Sequence, residues 1–282
     1  MSERPAQSQP YPGHTGDMEP EPHDEMRDYT GSGLLAGKRA LVTGGDSGIG
    51  RAVAVAFAKE GADVAITYLE EDADARHTAK LVEAEGRRCV TYGGDLAEER
   101  HAREVVANAA RDLGGLDVLV LHHGTQEPVD DVRQIDTEQL TRTFQVNVFS
   151  LFWTVQEALD HLSEGSSIVI TGSINALRGN KTLIDYSASK AAAVVLGQSL
   201  AQNLMEKGIR VNCVSPGPVW TPLIPATFDE EKVEDFGKQA PMGRAAQPDE
   251  IAPSYVFFAA DRLSSYYTGQ NLVPAGGEIH PG

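Results

Sequence analysis

The sequence predicts an α/β fold in which one doubly wound, parallel sheet of seven strands is flanked by helices. Two observations lead to this prediction: short apolar runs alternate with stretches of helical length, and the connections between them are short. Parallel strands need crossovers that return the chain to the same end of the sheet, and helices make such crossovers. Because no break in composition interrupts the alternation, residues 34–282 are expected to form a single domain.

Each strand is predicted where aliphatic and β-branched residues cluster between glycines or charged residues. The predicted strands are residues 38–43, 62–68, 88–92, 116–121, 167–171, 209–215 and 271–273. The helices that follow them are predicted to end near residues 61, 85, 113, 162, 207 and 260. Residues 219–247 are expected to form an irregular, partly helical excursion from the sheet.

Residues 1–33 differ in composition from the rest of the chain. They contain five prolines, seven acidic residues and two basic residues, with almost no aliphatic side chains. Such a segment cannot form its own core, so a disordered acidic extension is the first expectation. The alternative is an arm that lies on a neighbouring subunit and is anchored by Tyr11, Met18, Met26 and Tyr29.

The charge and cysteine content limit the class of protein. A net charge of −17 argues against nucleic acid or an anionic membrane as a partner. Cys89 and Cys213 lie in apolar, strand-like stretches and are expected to be buried thiols in a reducing compartment. Because no signal peptide or membrane-spanning run is recognisable, a cytoplasmic protein is expected.

A glycine-rich turn joins the first strand to the first helix. It runs from Gly44 through Asp46 and Ser47 to Gly48, Ile49 and Gly50. In this context glycines let the backbone approach a pyrophosphate, and the free N–H groups of the helix start face the anion. A dinucleotide site is therefore predicted, with a chance glycine-rich turn as the alternative.

Tyr186 and Lys190 are four residues apart, so a helix places both side chains on one face. A lysine cation beside a phenol favours the phenolate and lowers a pKa that is otherwise near ~10. Such a tyrosine can exchange a proton in carbonyl reduction or alcohol oxidation. Taken alone, the spacing also fits two unrelated, solvated side chains.

These motifs resemble the short-chain dehydrogenase/reductase family over residues 36–280. Ser173 lies 13 residues before Tyr186, Asn147 follows the fourth strand, and Pro216 with Gly217 follows the sixth. The resemblance implies a Rossmann fold and a catalytic set of Asn147, Ser173, Tyr186 and Lys190. It also implies that the cofactor contacts Gly44, Asp46, Ser47, Gly48, Ile49, Tyr68, Asp95, Leu96, Gly124, Tyr186, Lys190, Pro216, Gly217, Val219 and Thr221.

By this resemblance Tyr186 exchanges the substrate proton, and Lys190 lowers its pKa and holds the nicotinamide ribose. Ser173 orients the substrate oxygen, and Asn147 holds a water that links Lys190 to solvent. Asp95 borders the adenine ring. The N-terminal extension and the Gly276-Gly277 ending are similar to a bacterial subgroup of general stress, glucose/ribitol-dehydrogenase-like and aldehyde-reductase proteins. A homotetramer is also implied.

The cofactor is expected to be NAD(P)(H). The resemblance to the bacterial subgroup favours NADP(H). The second strand ends in Tyr68, not in an acid that would exclude a 2′-phosphate, and Ser47 replaces the base common in NADP enzymes. Arg51 is the nearest basic candidate. No metal site is suggested by the spacing of the ligand-type residues.

The substrate pocket is expected to be apolar. Its candidate residues lie in the excursion, which we expect to be a mobile lid, and are Trp220, Leu223, Ile224, Pro225, Phe228, Phe236 and Met242. They favour an aldehyde or ketone, or its alcohol, although they could instead pack a subunit interface. A sugar or polyol is the alternative substrate, because the polar side chains of Asn175, Asn180 and His123 could also reach the pocket.

One departure from the family pattern follows the fourth strand. The family has Asn-Asn-Ala-Gly there, and this chain has Leu121, His122, His123 and Gly124. The two histidines are expected to line the cofactor pocket or bond to nearby backbone, with acid–base action as the alternative. A non-catalytic dinucleotide-binding redox sensor is the competing function, although such a protein would not need Tyr186.

Overall fold

A computed structural model describes residues 5–279 of the chain. One parallel sheet of seven strands runs through it in the order β3-β2-β1-β4-β5-β6-β7. The strands are β1 Arg39–Thr43, β2 Asp63–Tyr68, β3 Cys89–Gly93, β4 Val118–Leu121, β5 Ser167–Thr171, β6 Arg210–Val214 and β7 Asn271–Leu272. The predicted fold class, a doubly wound parallel sheet, is confirmed.

Helices connect successive strands and cover both faces of the sheet. They are α1 Gly48–Lys59, α2 Asp72–Ala84, α3 Glu99–Leu113, α4 Thr137–Phe144, α5 Ser150–Ala158, α6 Asn175–Arg178, α7 Ile184–Asn203, α8 Leu223–Thr227, α9 Glu230–Glu234, α10 Pro248–Ala259 and α11 Asp261–Ser264. Short 3₁₀ turns occupy Thr15–Asp17, Val132–Gln134 and Met205–Lys207. None of the helices within residues 5–279 combines the length and apolarity needed to cross a membrane.

Two apolar layers form the core, one on each face of the sheet. Helices α1, α2 and α10 pack on one face, where the alanine-rich side of α1 allows close approach to the strands. Helices α3, α5 and α7 pack on the other face. The central strands are buried on both sides, which explains why their sequences are continuous apolar runs and not alternating ones.

The strand order fixes the position of the cleft. β1 pairs with both β2 and β4, and Thr43 lies opposite Leu121 in the β1–β4 register. The connections from β1 and from β4 leave the sheet in opposite directions, so a crevice opens at the carboxyl ends of these two strands. Ligands of open α/β sheets bind at such a switch point.

The helix that was predicted to end near residue 162 is not a continuous α-helix. A π-helical turn, Gln145–Phe149, separates α4 from α5 and contains Asn147. The sequence has no proline or glycine there to mark the change. A π-helical turn inserts one residue into the helical repeat, so it redirects the side chains that follow it.

The N-terminal segment, residues 5–33, differs from both expectations because it packs on its own domain. Met18 is buried beside Trp220 and Ile224, and Met26 is buried in the core layer that contains α1 and α10. The Trp220 indole nitrogen donates to the Pro20 carbonyl at 2.8 Å. Met18 and Met26, two of the four predicted anchors, are therefore buried against the segment's own domain and not against a neighbouring subunit.

Asp24 binds the segment to the start of α1. Its carboxylate accepts a hydrogen bond from the Gly48 N–H at 3.0 Å and pairs with Arg51 at 3.2 Å. Arg51 is also buried, and its second partner is Asp74 at 2.6 Å. Burial raises the pKa of Asp24 to about 6, and Arg51 opposes this rise. At neutral pH a buried cation is thus balanced by carboxylates from two parts of the chain.

We expect Asp24→Ala to lower the free energy of unfolding by about 2–4 kcal/mol at pH 7.5, because it leaves the Gly48 N–H and one side of Arg51 without a partner. Chemical denaturation followed by fluorescence measures the change. The control is Arg76→Ala, which breaks an exposed pair with Asp72 and should cost less than about 1 kcal/mol. Equal losses in the two variants would contradict the structural role of Asp24.

Candidate active site

The glycine-rich turn forms one wall of the cleft. Helix α1 begins at Gly48, directly after β1, and the turn is packed so tightly that a Cβ on Gly50 would overlap the Gly44 carbonyl oxygen. Only glycine fits at position 50. Because it has no side chain, the start of the helix can pack directly against the turn. The resulting cradle of backbone fits a pyrophosphate group at the N-terminus of α1.

A cavity of about 330 Å³ extends from this turn across the carboxyl ends of the strands. All fifteen residues predicted to contact the cofactor line it. Ser173 lines it as well, so three of the four predicted catalytic residues face the same space. The fourth, Asn147, is buried behind the wall.

Tyr186 and Lys190 lie on α7, and Ser173 lies just beyond β5. The Ser173 hydroxyl hydrogen-bonds the Tyr186 hydroxyl. The Lys190 ammonium donates to the Thr171 carbonyl at 2.9 Å and lies 5.8 Å from the centre of the Tyr186 ring. The end of β5 therefore holds the lysine on one side and positions the serine on the other.

Asn147 links the π-helical turn to the loop after β4. Its side chain donates to the Thr125 carbonyl at 2.8 Å and accepts from the Thr125 N–H at 2.8 Å. It also donates to the Ser189 hydroxyl at 3.0 Å, one residue before Lys190. These bonds hold the loop after Gly124 and helix α7 in a fixed relation.

The expected effect of Lys190 on Tyr186 is not what the structure shows. Burial raises the pKa of Tyr186 above its ordinary value, and the hydrogen bond from Ser173 opposes this rise. The prediction of a lowered pKa was wrong because the phenol is fully buried, and the cost of burying a phenolate is the largest influence on its pKa. Burial also lowers the pKa of Lys190 to about 8, so the ammonium remains charged at neutral pH.

Comparison with known proteins identifies this arrangement. A family model described as enoyl-(acyl carrier protein) reductase matches residues 44–278. General stress protein 39 of Bacillus subtilis is 52% identical over 98% of this chain and 97% of its own. A crystal structure of a short-chain dehydrogenase from Burkholderia cenocepacia in complex with NADP superposes with a TM-score of 0.81 at 35% identity, covering 86% of this chain and 98% of that one.

The chain belongs to the short-chain dehydrogenase/reductase family of NAD(P)-dependent oxidoreductases. A further relative is the NADPH-dependent aldehyde reductase 1 of Arabidopsis thaliana chloroplasts, 46% identical over 95% of both chains. The cleft of this chain fits the family's cofactor, because the glycine-rich cradle and the side chains predicted to exchange the proton open into one cavity.

The two histidines that depart from the family pattern are held by hydroxyl groups. His123 contacts Thr43 through Nδ1 and Ser150 through Nε2, both at 2.7 Å. His122 contacts the Thr171 hydroxyl at 3.1 Å. Burial and the nearby Lys190 charge lower the pKa of both rings to about 3, so both are neutral near pH 7. The geometry favours local bonding to the strand ends over acid–base action.

The Arg51 candidate for a 2′-phosphate site faces away from the cavity. Its guanidinium contacts Asp24, Asp74, the Asp46 carbonyl and the Thr78 hydroxyl beneath the turn. The cavity wall beside Tyr68 is instead acidic, with Asp46 and Glu71. Burial, followed by the charge of Glu71, raises the pKa of Asp46 to about 7.

The part of the cavity that was predicted to hold the substrate combines apolar and amide groups. Four of the seven predicted apolar residues line it: Leu223, Ile224, Phe228 and Phe236. Trp220 lies instead in the cluster with Met18, and Met242 is largely exposed. Asn175, Asn180 and His123 also line the cavity.

Sequence patterns missed several cavity residues. Tyr11 and Pro12 belong to the N-terminal segment, and neither spacing nor hydropathy connects them to a site more than thirty residues away. Arg142 lines the cavity from α4 and pairs with Asp95 at 2.6 Å. Asp95 was predicted to border the adenine ring, but nothing in the sequence indicates that Arg142 would pair with it.

Proposed function

We propose that the protein transfers hydride between NADP(H) and an aldehyde or ketone, or the corresponding alcohol. The observation that supports this most strongly is that the Tyr186 and Ser173 hydroxyls and the buried Lys190 ammonium meet at one end of a cavity whose other end is the glycine-rich cradle. The bound nicotinamide supplies or accepts the hydride.

Tyr186 holds the proton that the reaction needs. Its raised pKa keeps the phenol protonated at neutral pH, which suits donation to a carbonyl oxygen during reduction. Ser173 hydrogen-bonds the same hydroxyl and can bind the substrate oxygen beside it. The charge on Lys190 stabilises the phenolate that remains when the proton has left.

Asn147 has a positioning role in this proposal. Its amide is fully engaged by Thr125 and Ser189, so it acts by fixing the cavity loop against the helix that bears Lys190. The predicted water relay would then be organised by the π-helical turn around it and not by its side chain.

Support for NADP(H) comes from the relatives that are described with this nucleotide. The raised pKa of Asp46 is compatible with it, because a carboxyl that is partly neutral near pH 7 repels a 2′-phosphate less than a full charge does. Both cysteines are free thiols, in keeping with a cytoplasmic location.

A sugar or polyol is the second candidate substrate. The Asn175 side-chain oxygen is buried at the cavity wall, and within residues 5–279 it has no hydrogen-bond partner. A substrate hydroxyl could donate to it, which an unsubstituted aldehyde could not. Parallel assays with ketones, aldehydes and polyols, each followed by the absorbance of NADPH, discriminate between the two substrate classes.

Tyr186→Phe should lower turnover by at least about 10²-fold while leaving the NADPH dissociation constant within about two-fold, because it removes the exchangeable proton and keeps the ring. Steady-state rates and fluorescence titration measure the two quantities. Near-normal turnover would contradict the assignment. Nucleotide binding without turnover by the unmodified protein, over the whole substrate panel, would favour the redox-sensor function.

The rate of reduction should fall as pH rises through about 8. The Lys190 ammonium is charged below this pH and neutral above it, and the neutral amine no longer stabilises the phenolate. We expect kcat/KM to be level from pH 6 to 7 and to decrease by up to ~10-fold per unit above pH 8. NADPH affinity, measured at each pH, is the control. A profile that stays level to pH 9.5 would exclude this role.

We also propose a homotetramer built on α5 and α7. Phe152 on α5, Val195 on α7 and Phe149 at the end of the π-helical turn before α5 are about half exposed, as expected for an apolar face that other subunits cover. Sedimentation should give four times the chain mass of 30.2 kDa. The double variant Phe152→Asp, Val195→Asp should lower the mass, whereas Leu263→Asp, at an exposed leucine on α11, should not. A stable monomer of the unmodified protein would contradict the proposal.

A further inference from the structure

The N-terminal segment supplies part of the cavity wall. Tyr11 and Pro12 line the same cavity as the glycine-rich turn and the catalytic hydroxyls. Tyr11 is 42% exposed, although its hydroxyl faces the Thr125 side chain. An aromatic ring that lines a nucleotide cleft and is partly exposed is a surface on which a ligand can pack.

Tyr11 lies toward the end of the cavity that Asp95 marks. Its hydroxyl is near the charged groups of Arg142, Glu71 and Asp95. Asp95 and Leu96 are the residues that the resemblance places at the adenine ring, and Thr125 follows Gly124 on the catalytic side. The Tyr11 hydroxyl therefore lies between Thr125 and the charged groups that line the part of the cavity where adenosine is expected.

Several contacts hold the segment in this place. On one side of Tyr11, the Gln9 N–H donates to the Pro225 carbonyl at 2.9 Å, and Ser8 donates to Glu230 at 3.2 Å. On the other side, Gly13 has φ +91° and lies against Pro222, where a Cβ would come within 2.7 Å of the carbonyl oxygen. Tyr11 is thus fixed between two attachments to the excursion after β6.

The remainder of the segment fastens that excursion to the sheet. Pro20 accepts from the Trp220 indole, and the His23 N–H donates to the Gln247 side chain at 2.9 Å. Asp24 then reaches the Gly48 N–H beneath the glycine-rich turn. The segment therefore spans the cavity from the substrate end to the cofactor turn.

We propose that Tyr11 is a cofactor-contacting residue that packs against the adenosine half of the bound dinucleotide, and that the docked segment 5–33 slows cofactor release. This inference rests on the dinucleotide site of the proposed function. Adenosine that enters the cavity covers the open part of the Tyr11 ring, and departure requires the ring and its two attachments to move aside.

The test uses full-length Tyr11→Ala. NADPH affinity is measured by fluorescence titration, and its release by stopped-flow displacement. We expect both the dissociation constant and the release rate to increase at least about five-fold. Adenosine 2′,5′-bisphosphate, which has no nicotinamide, should lose affinity by a similar factor. Tyr266→Ala, at a tyrosine that is 99% exposed, is the matched control and should change none of these values.

A second variant tests the docking independently of the ring. Gly13→Ala should force the segment away from Pro222 and increase the NADPH release rate with Tyr11 still present. Unchanged release in both variants would overturn the proposal, as would weaker NADPH binding with unaltered adenosine bisphosphate binding. Failure of the unmodified protein to bind either nucleotide would instead overturn the proposed function.

Discussion

The pairing of β1 with β4 is the constraint on which the rest of the site depends. These strands are neighbours in space but are separated in sequence by two strands and three helices. The connections that follow them leave the sheet in opposite directions, which opens a crevice at their carboxyl ends. The Thr43 hydroxyl joins the two ends, because it accepts from the His122 N–H at 2.9 Å and contacts the His123 ring at 2.7 Å. The glycine-rich turn and the loop after β4 are thereby held on either side of one crevice.

Leu121 stands where the family has its first asparagine, and the two histidines that follow it maintain the connection between the strand ends. An asparagine at the end of β4 would bind backbone groups through its amide, whereas Leu121 has only an apolar side chain and is buried. His123 extends the connection from Thr43 to Ser150 at the start of α5, and His122 connects to Thr171 at the end of β5. Because burial keeps both rings neutral, they add hydrogen bonds without adding a second cation beside Lys190.

The parts of the molecule that could be predicted are those determined by local pattern. The strands are continuous apolar runs, and the turn at Gly44–Gly50 and the spacing of Tyr186 and Lys190 follow from backbone geometry within a few residues. The π-helical turn at Asn147 could not be predicted, because it depends on bonds to Thr125 and Ser189, which are distant in sequence. The prediction of a lowered pKa for Tyr186 was wrong for a related reason. Helical spacing fixes the distance between two side chains, but it does not determine how deeply each is buried.

The N-terminal segment shows the same limit most clearly. Its acidic, proline-rich composition argues correctly that it has no core of its own, but it does not show that the domain offers Arg51 as a buried partner for Asp24. An arginine in an alanine-rich helix is normally solvated, and here it is 2% exposed. A buried cation requires carboxylates, and Asp74 of α2 and Asp24 of the segment provide them.

The excursion after β6, which was expected to be a mobile lid, is bonded to the N-terminal segment. Trp220, at its start, is fully buried and bonded to the segment, and Asp249 at the start of α10 accepts from the Met26 N–H at 2.9 Å. Opening the substrate end would therefore disturb contacts that continue to Asp24 and the Gly48 N–H. A single stretch of chain, residues 20–24, thus contacts both the excursion and the glycine-rich turn.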